Sequence, residues 1–338
     1  MIDLRSDTVT KPNAEMLEAM MNAQVGDDVF NEDPTVQKLQ QKLADMFGFE
    51  AALFCPSGTM CNQIAVKVHT QPLDEIIMDK LSHVYYYETA GYAFNSGCGV
   101  RLIDGDKGRI SAQQIKENIQ PDFDWLPVSK LVIVENTCNK GGGAFYKLEA
   151  LKEISSLCKE KNLKLHMDGA RFFNALMASN TKIEDYKGLF DSISICLSKG
   201  LGAPIGSVLI GNNAFIKRAK KVRKAFGGGM RQVGYLAAAG LYALENNIDR
   251  LKNDHAHATQ LAETLIKQKE ITNVVTPETN IVLFDVVEEI GVEKYLNYLK
   301  NNGVLAVPFG KNTIRFVTHL DVSQSDINTV CSVVERYK

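Results

Sequence analysis

The stretch Ser192–Ile210, SISICLSKGLGAPIGSVLI, decides the fold. Two short apolar runs, Ser192–Cys196 and Ser207–Ile210, frame a lysine and a turn carrying Gly200, Gly202 and Gly206. Short apolar runs bounded by glycine and proline read as buried strands. These two are too close for a helical crossover, so one member of the sheet must run antiparallel. A lysine is rarely buried without a partner, so Lys199 between two such strands calls for an explanation. An amine held in a pocket there can form an imine with an aldehyde cofactor. The plainer alternative is a surface lysine at a strand turn.

The same rhythm runs through the preceding sequence. Ala51–Phe54, Glu75–Met78, Val100–Ile103, Leu131–Glu135 and Leu163–Met167 read as further strands, with amphipathic stretches between many of them. One such stretch is Leu148–Lys161, where Leu151, Ile154 and Leu157 share a face. Strands alternating with helices imply a mostly parallel sheet covered on both faces. Asp33-Pro34 caps and opens a helix that buries Val36, Leu39, Leu43 and Phe47 and stops at Gly48. Beyond about residue 250 the rhythm changes. A helix at His255–Lys267, strands near Asn280–Val286 and Thr313–Thr318, and a helix at Val292–Asn301 read as a small α+β domain. We therefore expect a large domain over 1–249 with an N-terminal arm, and a small C-terminal domain over 250–338, with no Gly/Ser linker between them.

Composition excludes several classes. Hydrophobic residues make up 45% and charged residues 23%, ordinary for a soluble globular chain, and a formal net charge of -2 offers nothing to nucleic acid or an anionic membrane. The basic run Ile216–Lys224 reads as a solvated helix face. No window reaches the roughly 18 apolar residues of a membrane span, and MIDLRSDTVTKP lacks the apolar core of a secretory leader. The seven cysteines are odd in number and scattered, without C-x-x-C, which points to reduced thiols and a cytoplasmic location.

Three more features carry chemistry. In LKLHMDGARF an apolar strand delivers Asp168 at its carboxyl end, where open α/β sheets bind ligands, and Arg171 follows. A carboxylate there can pair with a protonated pyridine nitrogen; a helix cap is the plainer reading. In FCPSGTMCN a strand ends at Ser57, Gly58 and Thr59 and a helix begins, a turn suited to a phosphate. Neither the Walker pattern nor G-x-G-x-x-G is present, which disfavours a dinucleotide-dependent dehydrogenase. His83, among aromatics in KLSHVYYYETAG, can stack on a pyridine ring and exchange a proton near neutral pH. His255 and His257 face different ways on one helix and give no metal pair; no metal site is expected.

Phosphate turn, histidine, strand-end aspartate and lysine occur in the order of fold-type-I pyridoxal-phosphate (PLP) enzymes. With MIDLRSDTVTKP, VGDDVFNEDPTV, PSGTMCNQ, ENTCN, HMDGARFFNA, ICLSKGLGAPIGS, GGGMRQ and RFVTHLD, the chain resembles the low-specificity L-threonine aldolases along nearly its whole length. The resemblance implies a seven-stranded, mostly parallel large domain and retro-aldol cleavage of L-threonine or L-allo-threonine to glycine and acetaldehyde. It implies Lys199 as the residue that carries PLP, Asp168 as partner of the ring nitrogen and His83 as the stacking residue. Gly58 and Thr59, with Ser57 nearby, would hold the phosphate. Ser6, Arg171 and Arg315 would grip the substrate carboxylate, with Tyr87 and Glu88 beside the substrate. Lys224 and Arg231 would reach a neighbouring subunit's site in a homotetramer. The chain departs from the family pattern at Cys138, where Glu-Asn-Thr-His-Asn is common, and at Trp125, where relatives place a second histidine. The alternatives are another PLP lyase or transferase on a small amino acid, or a non-catalytic PLP-binding protein.

Overall fold

The computed structural model describes residues 1–337. Its main sheet contains β1 (Ala51–Cys55), β2 (Asp74–Asp79), β3 (Gly99–Ile103), β4 (Val128–Glu135), β5 (Lys164–Gly169), β6 (Ser192–Cys196) and β7 (Ser207–Gly211). The strands lie in the order β1-β7-β6-β5-β4-β2-β3. Strand β7 runs antiparallel to both neighbours, and the remaining pairings are parallel. The short β6–β7 connection produces that one reversal, as its length required.

Alternate residues of a strand point to opposite faces. In β4, Val132 and Val134 enter the core on one face, while Leu131 and Ile133 enter a second core on the other. Strands β5 and β6 break this symmetry. Leu165, Met167, Ile193 and Ile195 join the first core, but the intervening His166, Asp168, Ser192 and Ser194 are polar and fully buried. A buried polar stripe persists only when it is hydrogen-bonded.

Helix α1 (Pro34–Phe47) forms as its spacing predicts, burying Val36, Leu39, Leu43 and Phe47 and ending at Gly48 with φ 68°. Its cap, Asp33, is buried and serves three backbone N–H groups: Val36 at 3.0 Å, Gly234 at 2.8 Å and Gly26 at 3.3 Å. A Cβ on Gly234 would come within 2.4 Å of that carboxylate, so only glycine admits the approach. Helix α2 (Gly58–His69) follows β1 and packs across β5, β6 and β7.

The small sheet comprises β8 (Ile271–Val275), β9 (Ile281–Val286), β10 (Val307–Pro308) and β11 (Thr313–Val317), all antiparallel, in the order β10-β11-β9-β8. Strand β8 escaped the sequence reading because it is an edge whose Thr272 and Asn273 are exposed. The C-terminal helix Gln324–Glu335 escaped it too, although Ser323 and Asp326 form a capping box at its start. Helix α3 (Leu251–Leu265) begins earlier than expected, because Leu251 is buried in the main core while Ala258 and Leu261 are buried in the small one. The N-terminal arm also belongs to the small core. Ile2–Asp3 pairs in parallel with Val304–Leu305, Leu4 is buried there, and its carbonyl accepts from Val317 N at 2.9 Å.

Asp33→Ala removes the acceptor of three backbone donors at once. It is expected to lower unfolding stability by about 2–3 kcal/mol, read as a lower urea midpoint. A loss below about 0.5 kcal/mol would show that Asp33 does not staple these segments.

Candidate active site

Ser6, His83, Tyr87, Arg171, Lys199 and Arg315, distributed from the first turn to the last strand, line one cleft of about 340 Å³. Lys199 sits half-buried in the β6–β7 turn. Its carbonyl accepts from Thr10 Oγ1 at 3.1 Å and Gly202 N at 2.9 Å, which fixes the backbone. Among the described residues its amine makes no hydrogen bond or salt bridge.

Arg171 follows β5 and is buried. Its Nε and Nη2 donate to Asp7 Oδ2 and Oδ1, both at 2.7 Å, in a two-point ion pair. Burial alone would raise the Asp7 carboxyl, but the fields of Arg171 and Lys199 outweigh it and push it down to about 2. Arg171 thus faces the cleft with two of its three nitrogens committed to a partner that sequence reasoning overlooked. The only signal for Asp7 was its place beside Ser6.

Arg315, on β11, donates from Nη1 to Asn139 Oδ1 and from Nη2 to Arg5 O, each at 2.9 Å. Its guanidinium lies 4.7 Å from the Phe309 ring centre. Burial, helped by the nearby Arg171, pulls it down to about 10, and its buried Nε has no protein partner among the described residues. Two partly desolvated guanidiniums in one small cleft favour an anionic guest, and their planar forks match a carboxylate.

His83 begins a short helical turn after β2. Its backbone N–H donates to Glu135 Oε2 at 2.8 Å, and its Nδ1 lies 3.0 Å from Glu88 Oε1. A carboxylate only accepts, so Nδ1 carries the proton and Nε2 is left for chemistry. Burial would depress this imidazole, but the Glu88 hydrogen bond and the fields of Asp168 and Glu88 raise it above 6.5. His83, Glu88 and Asp168 bring one donor atom each within 4.8 Å of one another. Thr89 and Ala90, both non-glycine with φ 53°, form the left-handed bend that turns Glu88 inward.

The structure corrects the reading of Glu88. It is buried behind His83, gripped by Asn62 Nδ2 at 2.9 Å and Gln63 Nε2 at 2.7 Å, and does not line the cleft. Asp168 is buried at the end of β5, accepting from Asn62 Nδ2 at 2.8 Å and Ala170 N at 3.0 Å. Glu135 also went unread. It bridges the backbone N–H groups of His83 and Asn139, and burial plus the field of Asp168 push it up to about 7.

Ser57 caps α2, accepting from Met60 N at 3.2 Å, so the first N–H groups of that helix, from Gly58 and Thr59, are left for an anion. A Cβ on Gly58 would come within 2.6 Å of Cys196 Sγ, so the approach of the turn to β6 requires glycine. Lys224 and Arg231 lie outside this chain's cleft. Lys224 is exposed on the helix Asn213–Ala225, and Arg231 pairs with Asp27 at 2.8 Å. The basic run is largely solvated as expected, except Arg223, which is buried against Phe54 O and Asp28 Oδ2. Neither departing residue lines the cleft. Cys138 is buried with its thiol 3.0 Å from Glu135 O, and Trp125 is 77% exposed, stacked on Phe123.

The chain has relatives among known proteins. Residues 3–289 match the beta-eliminating lyase family. The chain is 44% identical to the low specificity L-threonine aldolase of Escherichia coli (strain K12), over 98% of each chain. It is 40% identical to low-specificity L-threonine aldolase 1 of Arabidopsis thaliana, over 99% of this chain and 96% of the relative. Among solved structures, a threonine aldolase of Leishmania major superposes with a TM-score of 0.85 at 22% identity, covering 99% of each chain. A serine palmitoyltransferase from S. paucimobilis, solved with bound PLP and myriocin, gives 0.77 at 15% identity, covering 99% of this chain and 86% of that one. These two likenesses carry the fold, which is fold type I. The chain belongs to the beta-eliminating lyase family, alongside the low-specificity L-threonine aldolases.

Asp7 holds a folded value of about 2 against an ordinary 3.8. Its contribution to stability is complete well above the ordinary value and disappears as pH falls towards the folded one. The stability gap between wild type and Asp7→Asn is therefore expected to narrow by about 2 kcal/mol between about pH 5 and about pH 2, read by urea unfolding. A gap independent of pH would mean that Asp7 does not carry this charge-paired role.

Proposed function

We propose that this chain uses pyridoxal 5'-phosphate to cleave L-threonine or L-allo-threonine between Cα and Cβ, giving glycine and acetaldehyde. The observation that carries the reading is the convergence on one cleft of Lys199, His83 and two guanidiniums, beside the buried strand-end Asp168.

The residues present fit the cofactor. The N–H groups at the start of α2 suit its phosphate. Asp168, buried and hydrogen-bonded, suits its ring nitrogen, and His83 the face of its ring. Lys199 offers an amine with no competing partner among the described residues. When bound, the cofactor supplies an electron sink for the carbon whose bond breaks.

The rest falls to the chain. Arg315, the remaining nitrogen of Arg171 and Ser6 would hold the substrate carboxylate and so fix how the bonds at Cα are oriented. His83 takes the β-hydroxyl proton at Nε2, while Glu88 holds the other ring nitrogen and keeps that tautomer. Tyr87, its ring 5.4 Å from that of His83, bounds the side where the departing aldehyde sits. The reading extends to a homotetramer in the cytoplasm, with Lys224 and Arg231 completing a neighbour's site. Their position outside this chain's own cleft supports that, and no described helix is long and apolar enough to cross a membrane.

Cofactor-loaded protein supplied with L-threonine is expected to release glycine and acetaldehyde in equal amounts, and Lys199→Ala to abolish turnover together with borohydride-trappable cofactor. 2-Oxobutanoate and ammonia as products, a requirement for a keto acid, or wild-type turnover by Lys199→Ala would overturn the proposal. His83→Asn is expected to lower kcat by about 10²-fold with little change in bound cofactor. Unchanged turnover would remove His83 from the reaction.

A further inference from the structure

On the face of the sheet beneath α2, the polar residues of β5 and β6 stand in register, His166 opposite Ser192 and Asp168 opposite Ser194. Asn62, on α2 and 1% exposed, lies over them. Its Nδ2 is 2.8 Å from Asp168 Oδ2 and 2.9 Å from Glu88 Oε1. Its Oδ1 is 2.8 Å from Ser194 Oγ and 3.1 Å from His166 Nε2. Beyond it, His166 Nδ1 is 2.8 Å from Ser192 Oγ, which is 2.8 Å from His69 Nε2. His69 ends α2, half-buried and stacked on Phe215 with ring centres 4.6 Å apart.

Donor counting gives this run one direction. Carboxylates only accept, so both Asn62 amide protons go to Asp168 and Glu88, and Oδ1 must accept. His166 therefore carries its proton on Nε2. Burial pushes His166 down to about 4 and His69 down to about 3, so each is neutral near pH 7 and holds one ring proton. The bare Nδ1 of His166 takes the Ser192 hydroxyl proton. Ser192 has only that one, so His69 must donate to Ser192 from Nε2. Every proton points towards the two carboxylates, and hydrogen bonds aligned in this way polarise one another.

We propose that Asn62 is a positioning residue, the end of a one-way chain His69–Ser192–His166–Asn62 that delivers one amide proton to Asp168 and the other to Glu88. It rests on the roles given above to Asp168 and His83. A single planar amide then sets two things together: the oxygen of Asp168 presented to the cofactor ring, and the oxygen of Glu88 that fixes the tautomer of His83. Gln63, the next residue on α2, holds the second Glu88 oxygen at 2.7 Å, so one helix turn controls both carboxylates.

The test has two arms. Nitrogen-15 NMR of histidine-labelled wild-type protein, with and without PLP and assigned by single His→Gln variants, is expected to show Nε2-protonated, Nδ1-bare rings for His166 and His69. A proton on His166 Nδ1 overturns the chain, whatever the enzyme does. In the holoenzyme, Asn62→Asp keeps the side chain's size but removes both donors. Its kcat for L-threonine, normalised to bound cofactor, is expected to fall about ten- to hundredfold. Its KM is expected to move less than about threefold, because the carboxylate grip is untouched. A kcat within twofold of wild type, or an equal change confined to KM, overturns the positioning role. A wild-type protein inert towards threonine overturns the proposed reaction but leaves the NMR result to decide the chain, so the two failures are distinguishable.

Discussion

The buried ion pair between Asp7 and Arg171 is the constraint on which the cleft depends. Asp7 belongs to the N-terminal arm, Arg171 to the end of β5, and Asn280, beside β9, touches the same carboxylate at 3.4 Å. Three parts of the chain thus meet at one charge. Removing two ions from water is costly, and the cost is offset only where geometry is good and remaining lone pairs are satisfied. Both oxygens of Asp7 accept at 2.7 Å, which meets that condition. The same contact aims Arg171 and, through the arm, brings Ser6 and the Arg5 carbonyl that receives Arg315. Both guanidinium walls of the cleft therefore refer to one seven-residue arm.

The second constraint is the asymmetry of the central strands. Apolar residues at every position would have served a parallel sheet equally well. Instead β5 and β6 give one face wholly to hydrogen-bonding groups, and α2 answers with Asn62 and Gln63. The cluster of Asp168, Glu88, Glu135 and His83 is tolerable only because amide, imidazole and backbone donors surround it. Where burial and the field of a neighbouring carboxylate outweigh those donors, the burden shows, as in the rise of Glu135 to about 7.

Much of this was legible in the sequence. Apolar runs and their spacing located all seven strands of the main sheet, and the short gap after Cys196 required its one reversed member. Lys199, His83 and Asp168 with Arg171 could be picked out as candidates because each is an unusual residue in a recognisable setting, whereas Arg315 came only from the family resemblance. What stayed hidden follows from how sequence signals arise. Asp7, Asn62, Glu135 and Asn139 each reach partners that lie between 26 and 273 positions away, and no local periodicity reports such distances. Glu88 was noticed but misplaced, because being next to tyrosines in sequence does not say which side of His83 a carboxylate occupies. Strand β8 was missed because an exposed edge carries polar residues.

The pairing of Ile2–Asp3 with Val304–Leu305, and of Leu4 with Val317, has a consequence for the order of events on the ribosome. The arm docks against segments made much later, Arg315 following Arg5 by 310 positions. Until the small sheet has emerged, the arm has no strand to join, Leu4 has no core, and Arg315 does not yet exist to meet the Arg5 carbonyl. The main sheet can close around Lys199 well before that, but the cleft wall that carries Arg315 cannot. Contacts of such long sequence separation form late and slowly. The lysine can therefore be in place before the two guanidiniums that share its cleft are both held by the arm.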